Sequence, residues 1–438
     1  MKDNKNIQRL IEKLSDKPLQ KNGVKVGGVR TRLKRLVRDL GELNDNNSVA
    51  LWVRYFWDSQ INKILAGQFY YPATLAFNLT TYCDSNCFFC KEGHDKKLVE
   101  YPFDKLEKDL KEFKNIPETC MINYTGGGEP TCYSKFADAM ELAHKLGYSI
   151  YVSTHGGQIG QPHLPHNVFT KYATILKFSI GAPVHKTYNK VHNKGQRLPK
   201  GAPYTVDYIL KQCQIISKNR RTVRVMDTEI KLPRLFIAMT VSPINQNEVI
   251  LMTERAIEAG ADTVMFRPVI TDCLSLLQIG EGIKQMQEAR RKYSKDIEIL
   301  TFNHRLQYGY KKEDRFGRCI CHPVISPDSP DGKAGSITPC AFRFGNRPQN
   351  GWLSGGEPNK QSLMEILKSE YYQNKVKEQD ENLNVNGEKR CPRCRKTPNN
   401  IFLDILFQAT PQEREIIRAI ILLLYPRNPI GEVIKGFF

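Results

Sequence analysis

The sequence has no hydrophobic run long enough to cross a membrane. Its most apolar stretch, IIRAIILLLY at residues 416–425, is shorter than the roughly 18 residues that a membrane span needs. This stretch also contains Arg418 and runs into Pro426. The first ten residues are polar, so no secretory signal peptide is expected. These absences predict a cytoplasmic chain with no membrane partner, in which residues 416–425 form a buried helix.

The sequence also lacks internal repeats, low-complexity segments and acidic residues in balance with its basic ones. Lys and Arg number 65 against 46 Asp and Glu, which gives a formal net charge of +19. Such a charge attracts phosphates or acidic peptides but does not determine a fold. This charge leaves a nucleic-acid partner open as an alternative, but no nucleic-acid-binding motif supports it.

Cysteine, in contrast, is abundant and unevenly placed, with 12 residues in the chain. Without an export signal, tight cysteine groups indicate metal ligands rather than disulfides. The first group is Cys83, Cys87 and Cys90, and the second is Cys319, Cys321, Cys340, Cys391 and Cys394. The remaining four are scattered, and we interpret them as small buried side chains: Cys120, Cys132, Cys213 and Cys273.

The 438 residues suit two or three domains. Residues 1–72 are basic, with helical periodicity at 29–40 and 48–65. From residue 73 to about 300, six predicted strands alternate with helical segments. The strands are predicted at residues 73–80, 119–126, 149–156, 174–182, 235–243 and 262–270. This alternation predicts a parallel α/β sheet, and right-handed crossovers would curl it into a partial (β/α)6 TIM-like barrel.

Several polar and sulfur-bearing residues fall at or just past the predicted strand ends, where the chemistry of such sheets is found. They are Cys83, Gly126 to Glu129, Ser153, Thr154, Ser179 and Arg267. Beyond residue 300 the pattern becomes irregular and rich in Gly, Pro and Cys. We therefore predict a small metal-stapled domain at 301–405 and a helical tail at 406–438.

The stretch TYCDSNCFFC places the first three thiols in a C-x3-C-x2-C run. Cysteine thiolates are the usual ligands of iron–sulfur clusters, and three ligands on a four-iron cluster leave one iron open. A closed zinc site made of these thiols and His94 is the alternative. An open iron favours catalysis, whereas a closed zinc site favours a structural role.

A C-x3-C-x2-C run just after the first strand of a barrel resembles the signature of the radical S-adenosylmethionine (SAM) superfamily. The resemblance implies a [4Fe–4S] cluster on Cys83, Cys87 and Cys90 whose open iron is chelated by SAM. One electron then cleaves SAM to a 5′-deoxyadenosyl radical, which abstracts hydrogen from substrate. It also implies an external electron donor such as flavodoxin or ferredoxin.

The resemblance extends to further SAM-binding residues. The aromatic residue before the third cysteine, Phe89, corresponds to one whose backbone reaches the adenine. Gly127, Gly128 and Glu129 resemble the segment that holds the SAM amino group, which suits a carboxylate. Ser153, Thr154 and Ser179 match positions that contact the ribose or carboxylate of SAM. For Arg267, a SAM carboxylate, a substrate and a structural ion pair are all open as partners.

The second cysteine group resembles the SPASM or Twitch extension of radical SAM enzymes. Its order is C…G-x4-C…C-x2-C, with Cys319 and Cys321 as competing first ligands. No further cysteine follows Cys394, which favours the shorter Twitch form with one auxiliary [4Fe–4S] cluster. A structural zinc on the same thiols is the alternative.

These features predict a radical SAM oxidoreductase that uses the auxiliary cluster in an oxidative modification. Its substrate would be a small molecule or a peptide. The basic segments at 184–201 and 217–225 predict an anionic group on that substrate. A radical SAM maturase of a ribosomally made peptide or protein is the second interpretation. A non-catalytic zinc- and nucleic-acid-binding protein is the third.

Overall fold

The protein is represented by a computed structural model. It describes residues 5–21, 24–43, 46–90, 98–192, 205–269, 279–301, 324–328, 334–338, 361–374, 376–377 and 397–434. The chain divides into two compact units. Unit 1 comprises Met1–Pro72, Phe302–Cys321 and Gln373–Phe438. Unit 2 comprises Ala73–Thr301 and His322–Tyr372.

The strands are β1 (Leu19–Lys21), β2 (Val24–Val26), β3 (Thr74–Phe77), β4 (Met121–Tyr124), β5 (Ser149–Thr154), β6 (Ile175–Ser179), β7 (Arg221–Val225), β8 (Thr228–Leu232), β9 (Arg234–Val241), β10 (Thr263–Pro268), β11 (Glu298–Thr301), β12 (Val324–Asp328) and β13 (Ala334–Thr338).

The helices are α1 (Lys5–Glu12), α2 (Val29–Leu43), α3 (Asn46–Phe56), α4 (Asn62–Leu65), α5 (Phe103–Phe113), α6 (Phe136–Lys145), α7 (His166–Tyr172), α8 (His185–His192), α9 (Val206–Lys218), α10 (Val249–Glu258), α11 (Gly280–Tyr293), α12 (Leu363–Lys368), α13 (Thr397–Gln408), α14 (Pro411–Leu424) and α15 (Pro429–Val433). A π-helical turn at Trp57–Ile61 joins α3 to α4.

Unit 1 brings the N-terminal helices α1–α4 together with the C-terminal helices α13–α15. Its apolar centre includes Trp52, whose ring meets that of Phe402 edge-on at 6.4 Å. The apolar stretch near the C-terminus forms α14, as expected, and buries Ile417, Ile420 and Ile421 on one face. Spacings of three and four residues place side chains on one side of a helix, which explains this burial.

Unit 2 is built on a nine-stranded sheet with the order β11-β10-β9-β6-β5-β4-β3-β12-β13. Seven adjacent strands of this sheet are all parallel to one another: β3, β4, β5, β6, β9, β10 and β11. They lie side by side in chain order, as successive right-handed βαβ crossovers require. The predicted parallel α/β sheet is confirmed. β12 pairs parallel with β3, and β13 pairs antiparallel with β12.

Helices cover one face of this sheet. Tyr124 of β4 donates a hydrogen bond from Oη to the Ala139 carbonyl of α6 at 2.9 Å. α6 buries Phe136, Ala139, Met140 and Ala143 at helical spacing. Since side chains alternate along a strand, the residues before and after Tyr124 lie on the face turned away from α6.

The structure adds elements that the sequence did not predict. β11 is a seventh parallel strand beyond the six expected. β7 and β8 form an antiparallel hairpin, whose turn residues Met226 and Asp227 have φ of 48° and 60°. The backbone there is left-handed, as two-residue hairpin turns of this type require.

This hairpin corrects one prediction. The basic segment at 217–225 was predicted to serve an anionic group on the substrate, but it joins the end of α9 to β7, and the hairpin leads back through β8 to the start of β9. It therefore lies at the opposite, amino end of the parallel sheet. Arg220 and Arg234 both reach Asp262 there, at 2.7 and 3.0 Å. Arg220 of this segment is thus part of an ion-pair network at the amino end, and the segment lies away from the carboxyl-end site.

Within the ranges given above, the structure contains no helix whose length and apolarity would let it cross a membrane.

Candidate active site

The three clustered cysteines lie in the loop that follows β3. All three side chains are half-buried. The loop backbone rests on the end of α8, where Asn86 N–H donates to the His192 carbonyl at 2.8 Å and Phe88 N–H to the Val191 carbonyl at 3.1 Å. The last carbonyls of a helix have no partner within the helix, so α8 offers acceptors at that point. The cysteine loop is thereby anchored to the segment that follows β6.

The surroundings of these thiols disfavour a bare thiolate. Burial, then the charge of Glu129, raises the pKa of Cys83 well above its usual range. Burial, with Cys90 next, raises the pKa of Cys87 to about 12. A buried anion needs a cationic partner. Iron supplies that charge, and cysteine thiolate is its usual protein ligand in clusters. The donor set therefore fits a [4Fe–4S] cluster.

A histidine that the sequence analysis did not select contacts the loop. His192 Nδ1 lies 3.1 Å from Cys87 Sγ. Its other ring nitrogen, Nε2, accepts a hydrogen bond from the Gly181 N–H at 2.8 Å. Burial, helped by the charge of His155, lowers the pKa of His192 to about 3. The ring is therefore neutral in the physiological pH range.

The Gly-Gly-Glu segment follows β4 and packs against the same loop. A Cβ at Gly128 would stand 2.2 Å from the Tyr82 carbonyl oxygen and 2.6 Å from that of Thr80. Glu129 N–H donates to the Tyr82 carbonyl at 2.7 Å. The absence of a side chain at Gly128 thus lets the two segments approach closely. Gly127 is half-buried between Gly126 and Gly128.

The Glu129 carboxylate is buried and accepts hydrogen bonds from its own chain. Oε1 accepts from Thr131 N–H at 3.1 Å and from Thr131 Oγ1 at 2.7 Å. Oε2 accepts from His155 N–H at 3.0 Å. A carboxylate has about four acceptor positions. These bonds hold the carboxylate in place and leave room for one further donor, which is compatible with an ammonium group.

A second buried network links Glu129 to the cysteine loop. His155 Nε2 lies 2.5 Å from Asp84 Oδ1 and 3.5 Å from Glu129 Oε2. Asp84 Oδ2 accepts from Gln158 Nε2 at 2.7 Å. His155 Nδ1 accepts from Gly157 N–H at 2.9 Å. Neither Asp84 nor His155 was predicted as a site residue: Asp84 is one of the variable positions of the C-x3-C-x2-C run, and no spacing in the sequence marks its pairing with His155.

This network also tests a mononuclear metal site. Donor atoms of Cys83, Asp84 and His155 lie within 4.8 Å of one another. Both ring nitrogens of His155 are engaged, one as acceptor from Gly157 and the other beside Asp84, so neither offers a lone pair to a metal. Burial lowers the pKa of His155, but the negative charges of Glu129 and Asp84 outweigh it and raise the pKa. The group is thus a hydrogen-bonded charge network.

Two predicted SAM contacts, Ser153 and Thr154, lie on opposite faces of β5. Thr154 is 1% exposed and sits in the protein network, where its Oγ1 accepts from Gly156 N–H at 2.9 Å. Ser153 is half-buried and pairs in register with Lys177 of β6. The face of Ser153 is turned away from α6, because Val152 pairs with Tyr124.

The remaining predicted strand-end residues share the face of Ser153. Ser179 lies two residues after Lys177 on β6, and Arg267 lies two residues after Met265 on β10, with Nε 2.9 Å from Met265 Sδ. Register links Ser179 through β9 to Met265. Lys177, which lies within the strand predicted at 174–182, is on this face and only 6% exposed.

The other predicted residues divide between the structure and the parts outside it. Phe89 is half-buried, with its ring 6.1 Å from that of His192. Cys213 is buried, while Cys120 and Cys132 are half-buried. The following lie outside the described residues: His94, Cys273, Cys319, Cys321, Cys340, Cys391 and Cys394.

Comparison with known proteins places this site in a class. Residues 77–173 match the family model of the radical SAM superfamily. This segment, which holds Cys83, Cys87, Cys90 and Glu129, is therefore similar to radical SAM enzymes, a class that uses a [4Fe–4S] cluster and SAM as cofactors. A segment of 83 residues is 30% identical to the tungsten-containing aldehyde ferredoxin oxidoreductase cofactor-modifying protein of Pyrococcus furiosus. That match spans 19% of this chain and 23% of the relative.

Two solved structures are similar to this chain in fold. Streptococcus suis SuiB, solved with SAM, aligns with a TM-score of 0.51 at 13% identity over 69% of this chain and 67% of SuiB. The protein anSMEcpe, solved with bound SAM, aligns with a TM-score of 0.52 at 14% identity. That alignment covers 80% of this chain and 100% of anSMEcpe. At these identities the similarity shows the fold.

Proposed function

We propose that this protein is a radical SAM enzyme whose cluster is held by Cys83, Cys87 and Cys90. The observation that carries the proposal is the packing of two segments at neighbouring strand ends. The cysteine loop after β3 contacts the Gly-Gly-Glu segment after β4. The Tyr82 backbone lies so close to Gly128 that a side chain at position 128 would not fit. A structural metal site would need only the thiols, without the adjoining carboxylate.

When bound, the cluster and SAM supply one electron and a 5′-deoxyadenosyl radical that abstracts hydrogen from substrate. The protein's own residues position these groups. Glu129, held by Thr131 and His155, offers its remaining acceptor position to the SAM amino group. The backbone at Phe89 would face the adenine. Ser153 and Ser179, on the sheet face turned away from α6, would contact the ribose or carboxylate of SAM.

An oxidative reaction is the form of this chemistry that we propose. Flavodoxin or ferredoxin would supply the electron that cleaves SAM. An auxiliary [4Fe–4S] cluster of Twitch type in the C-terminal region would accept the electron that the substrate loses. Its ligands would be Cys340, Cys391 and Cys394 with Cys319 or Cys321. The support for this cluster is the cysteine spacing.

A peptide is the substrate class that we favour over a small molecule. SuiB was solved with the precursor peptide SuiA, and anSMEcpe with the peptide Kp18Cys. These observations belong to those proteins and serve here as an analogy. The charge beside the site is positive, since Lys186 and Lys190 are exposed on α8 and Lys177 lies on the sheet face that carries Ser153. A peptide with an acidic group would suit this charge.

Iron, sulfide and zinc should be measured per chain in protein reconstituted without oxygen, together with SAM cleavage under reduction. Two four-iron clusters would give about eight iron. The triple variant Cys83→Ser/Cys87→Ser/Cys90→Ser should lose about four iron and all SAM cleavage. The matched control Cys120→Ser/Cys132→Ser/Cys213→Ser should retain both. About four iron with one zinc would refute the proposed auxiliary cluster. Zinc without iron would refute the proposed enzymatic function.

The anionic substrate has its own test. Replacing Lys186, Lys190, Lys194 and Lys200 by Ala should weaken the binding of an acidic peptide probe, measured by fluorescence polarisation, and leave SAM cleavage intact. Four exposed lysines elsewhere in unit 2 provide a control of equal charge: Lys211, Lys218, Lys231 and Lys284. Equal loss of affinity in both quadruple variants would show that only net charge matters, and would contradict a local site.

A further inference from the structure

His192 is the last residue of α8, and its ring is held on every side. The side chain is 2% exposed. Its ring stacks on that of Tyr188, with centroids 4.4 Å apart and an interplanar angle of 23°. Two polar groups lie at its edge, the Gly181 backbone N–H and the Cys87 sulfur. A buried imidazole in a single orientation, touching a cluster-ligand cysteine, calls for an explanation beyond packing.

The hydrogen bond from Gly181 decides which nitrogen of His192 carries the proton. A backbone N–H can only donate, so Nε2, 2.8 Å away, must accept through its lone pair. In the neutral ring the proton then resides on Nδ1. Nδ1 lies 3.1 Å from Cys87 Sγ, within hydrogen-bonding distance of sulfur. His192 therefore donates an N–H···S hydrogen bond to Cys87.

The surrounding backbone fixes this arrangement. A Cβ at Gly181 would stand 2.7 Å from His192 Nε2 and 2.3 Å from Val191 Cγ1, so only glycine allows the ring its position. The His192 carbonyl also accepts from Asn86 N–H at 2.8 Å, one residue before Cys87. The same histidine thus holds the cysteine loop through its backbone and through its side chain.

We propose that His192 is a positioning residue that raises the reduction potential of the cluster through its hydrogen bond to Cys87. The inference rests on the proposed function, since it needs a cluster on Cys83, Cys87 and Cys90. Hydrogen bonds to ligand sulfurs are one of the levers that set cluster potentials. The reduced cluster carries one more negative charge than the oxidised one, so an N–H donor stabilises the reduced form more.

Three substitutions separate the two edges of the ring. His192→Asn keeps an amide donor at the position of Nδ1, near Cys87, but loses the acceptor for Gly181. His192→Gln places its amide at the position of Nε2, near Gly181, and loses the donor near Cys87. His192→Phe keeps the ring shape against Tyr188 and removes both bonds. His185→Phe, at the exposed start of the same helix, is the matched control.

The measurement is a redox titration of the full-length, iron-reconstituted protein followed by EPR. One electron from dithionite reduces the cluster, and the signal that changes when SAM is added belongs to the cluster on Cys83, Cys87 and Cys90. In His192→Phe and His192→Gln we expect the equilibrium constant for reduction to fall about tenfold. For a one-electron couple this is a shift of about 59 mV to more negative potential. His192→Asn and His185→Phe should stay at the wild-type potential.

The outcomes are distinguishable. Equal potentials in wild type, His192→Phe and His192→Gln would overturn the proposal, as would equal shifts in His192→Asn and His192→Gln. If His192→Phe fails to retain iron, the Asn and Gln pair decides by the same criterion. Loss of iron from all three variants, with the control intact, would replace tuning by a role in assembly and overturn the proposal. Wild-type protein without iron would instead refute the proposed function.

Discussion

The contact between Gly128 and the cysteine loop yields a quantitative prediction. In a Gly128→Ala variant, the added Cβ would meet the Tyr82 carbonyl oxygen at 2.2 Å, the Thr80 carbonyl oxygen at 2.6 Å and the Thr81 carbonyl carbon at 2.7 Å. Ordinary van der Waals contact begins at 3.4 Å. All three clashing atoms belong to backbone, so no side-chain rotation can relieve the overlap. Either the two segments separate or the loop moves.

Overpacking of a folded core typically costs about 1–3 kcal/mol. Since the obstructing atoms are backbone, we expect a loss near the upper end, about 3 kcal/mol. In a domain of this size 1 kcal/mol lowers Tm by roughly 2–4 °C, so Tm should fall by roughly 6–12 °C. If the loop moves instead, part of this cost appears as loss of iron, because Cys83 follows Tyr82 directly.

Calorimetry of the iron-free protein and iron content after reconstitution should be measured together. Gly280→Ala is the matched control, since a Cβ at Gly280 would meet no atom within 4 Å. The reasoning would be refuted if Gly128→Ala had the same Tm and the same iron content per chain as Gly280→Ala. It would show that the glycine does not hold the two segments together. Retained stability with lost iron would show that strain is relieved through the cysteine loop.

Three further predictions concern stability. His155→Gln should lower the free energy of unfolding of the iron-free protein by about 1–3 kcal/mol, because the buried Gly157 N–H loses its acceptor, His155 Nδ1, 2.9 Å away. Equal unfolding free energies of His155→Gln and wild type, measured with urea, would contradict this. Arg32→Met should lower the free energy of unfolding, measured with urea, by about 3–5 kcal/mol, because Arg32 Nη1 lies 2.6 Å from the fully buried Asp404 Oδ2. The double replacement with Asp404→Leu should recover most of this loss. Tyr124→Phe should cost about 1 kcal/mol in the same assay, since the Ala139 carbonyl loses its buried donor.

Local signals in the sequence predicted most elements of unit 2. The helical segment expected between the first two strands is observed as α5, Phe103–Phe113, where apolar residues recur at helical spacing and Pro102 precedes the first turn. β11 escaped prediction, since EILT is only four residues long and begins with a charge. The hairpin β7–β8 escaped because its strands are mainly polar, with alternate residues exposed.

The sequence by itself determined the chemistry that depends on spacing along the chain. The three thiols of Cys83, Cys87 and Cys90 and the Gly-Gly-Glu segment can be recognised because each lies within one short segment at a strand end. Motifs of this kind need no knowledge of the crossovers between them. They sufficed to predict the resemblance of this region to the radical SAM superfamily, which residues 77–173 match.

The tertiary structure alone decided which side chains surround that chemistry. Cys87 and His192 are 105 residues apart, and Asp84 and His155 are 71 apart. A hydrogen bond forms only when two atoms come within about 3.5 Å. The crossovers that bring α8 and β5 to the cysteine loop set those distances. A histidine at the end of a helix carries no signal of its partner, so only the folded chain shows that His192 donates to Cys87.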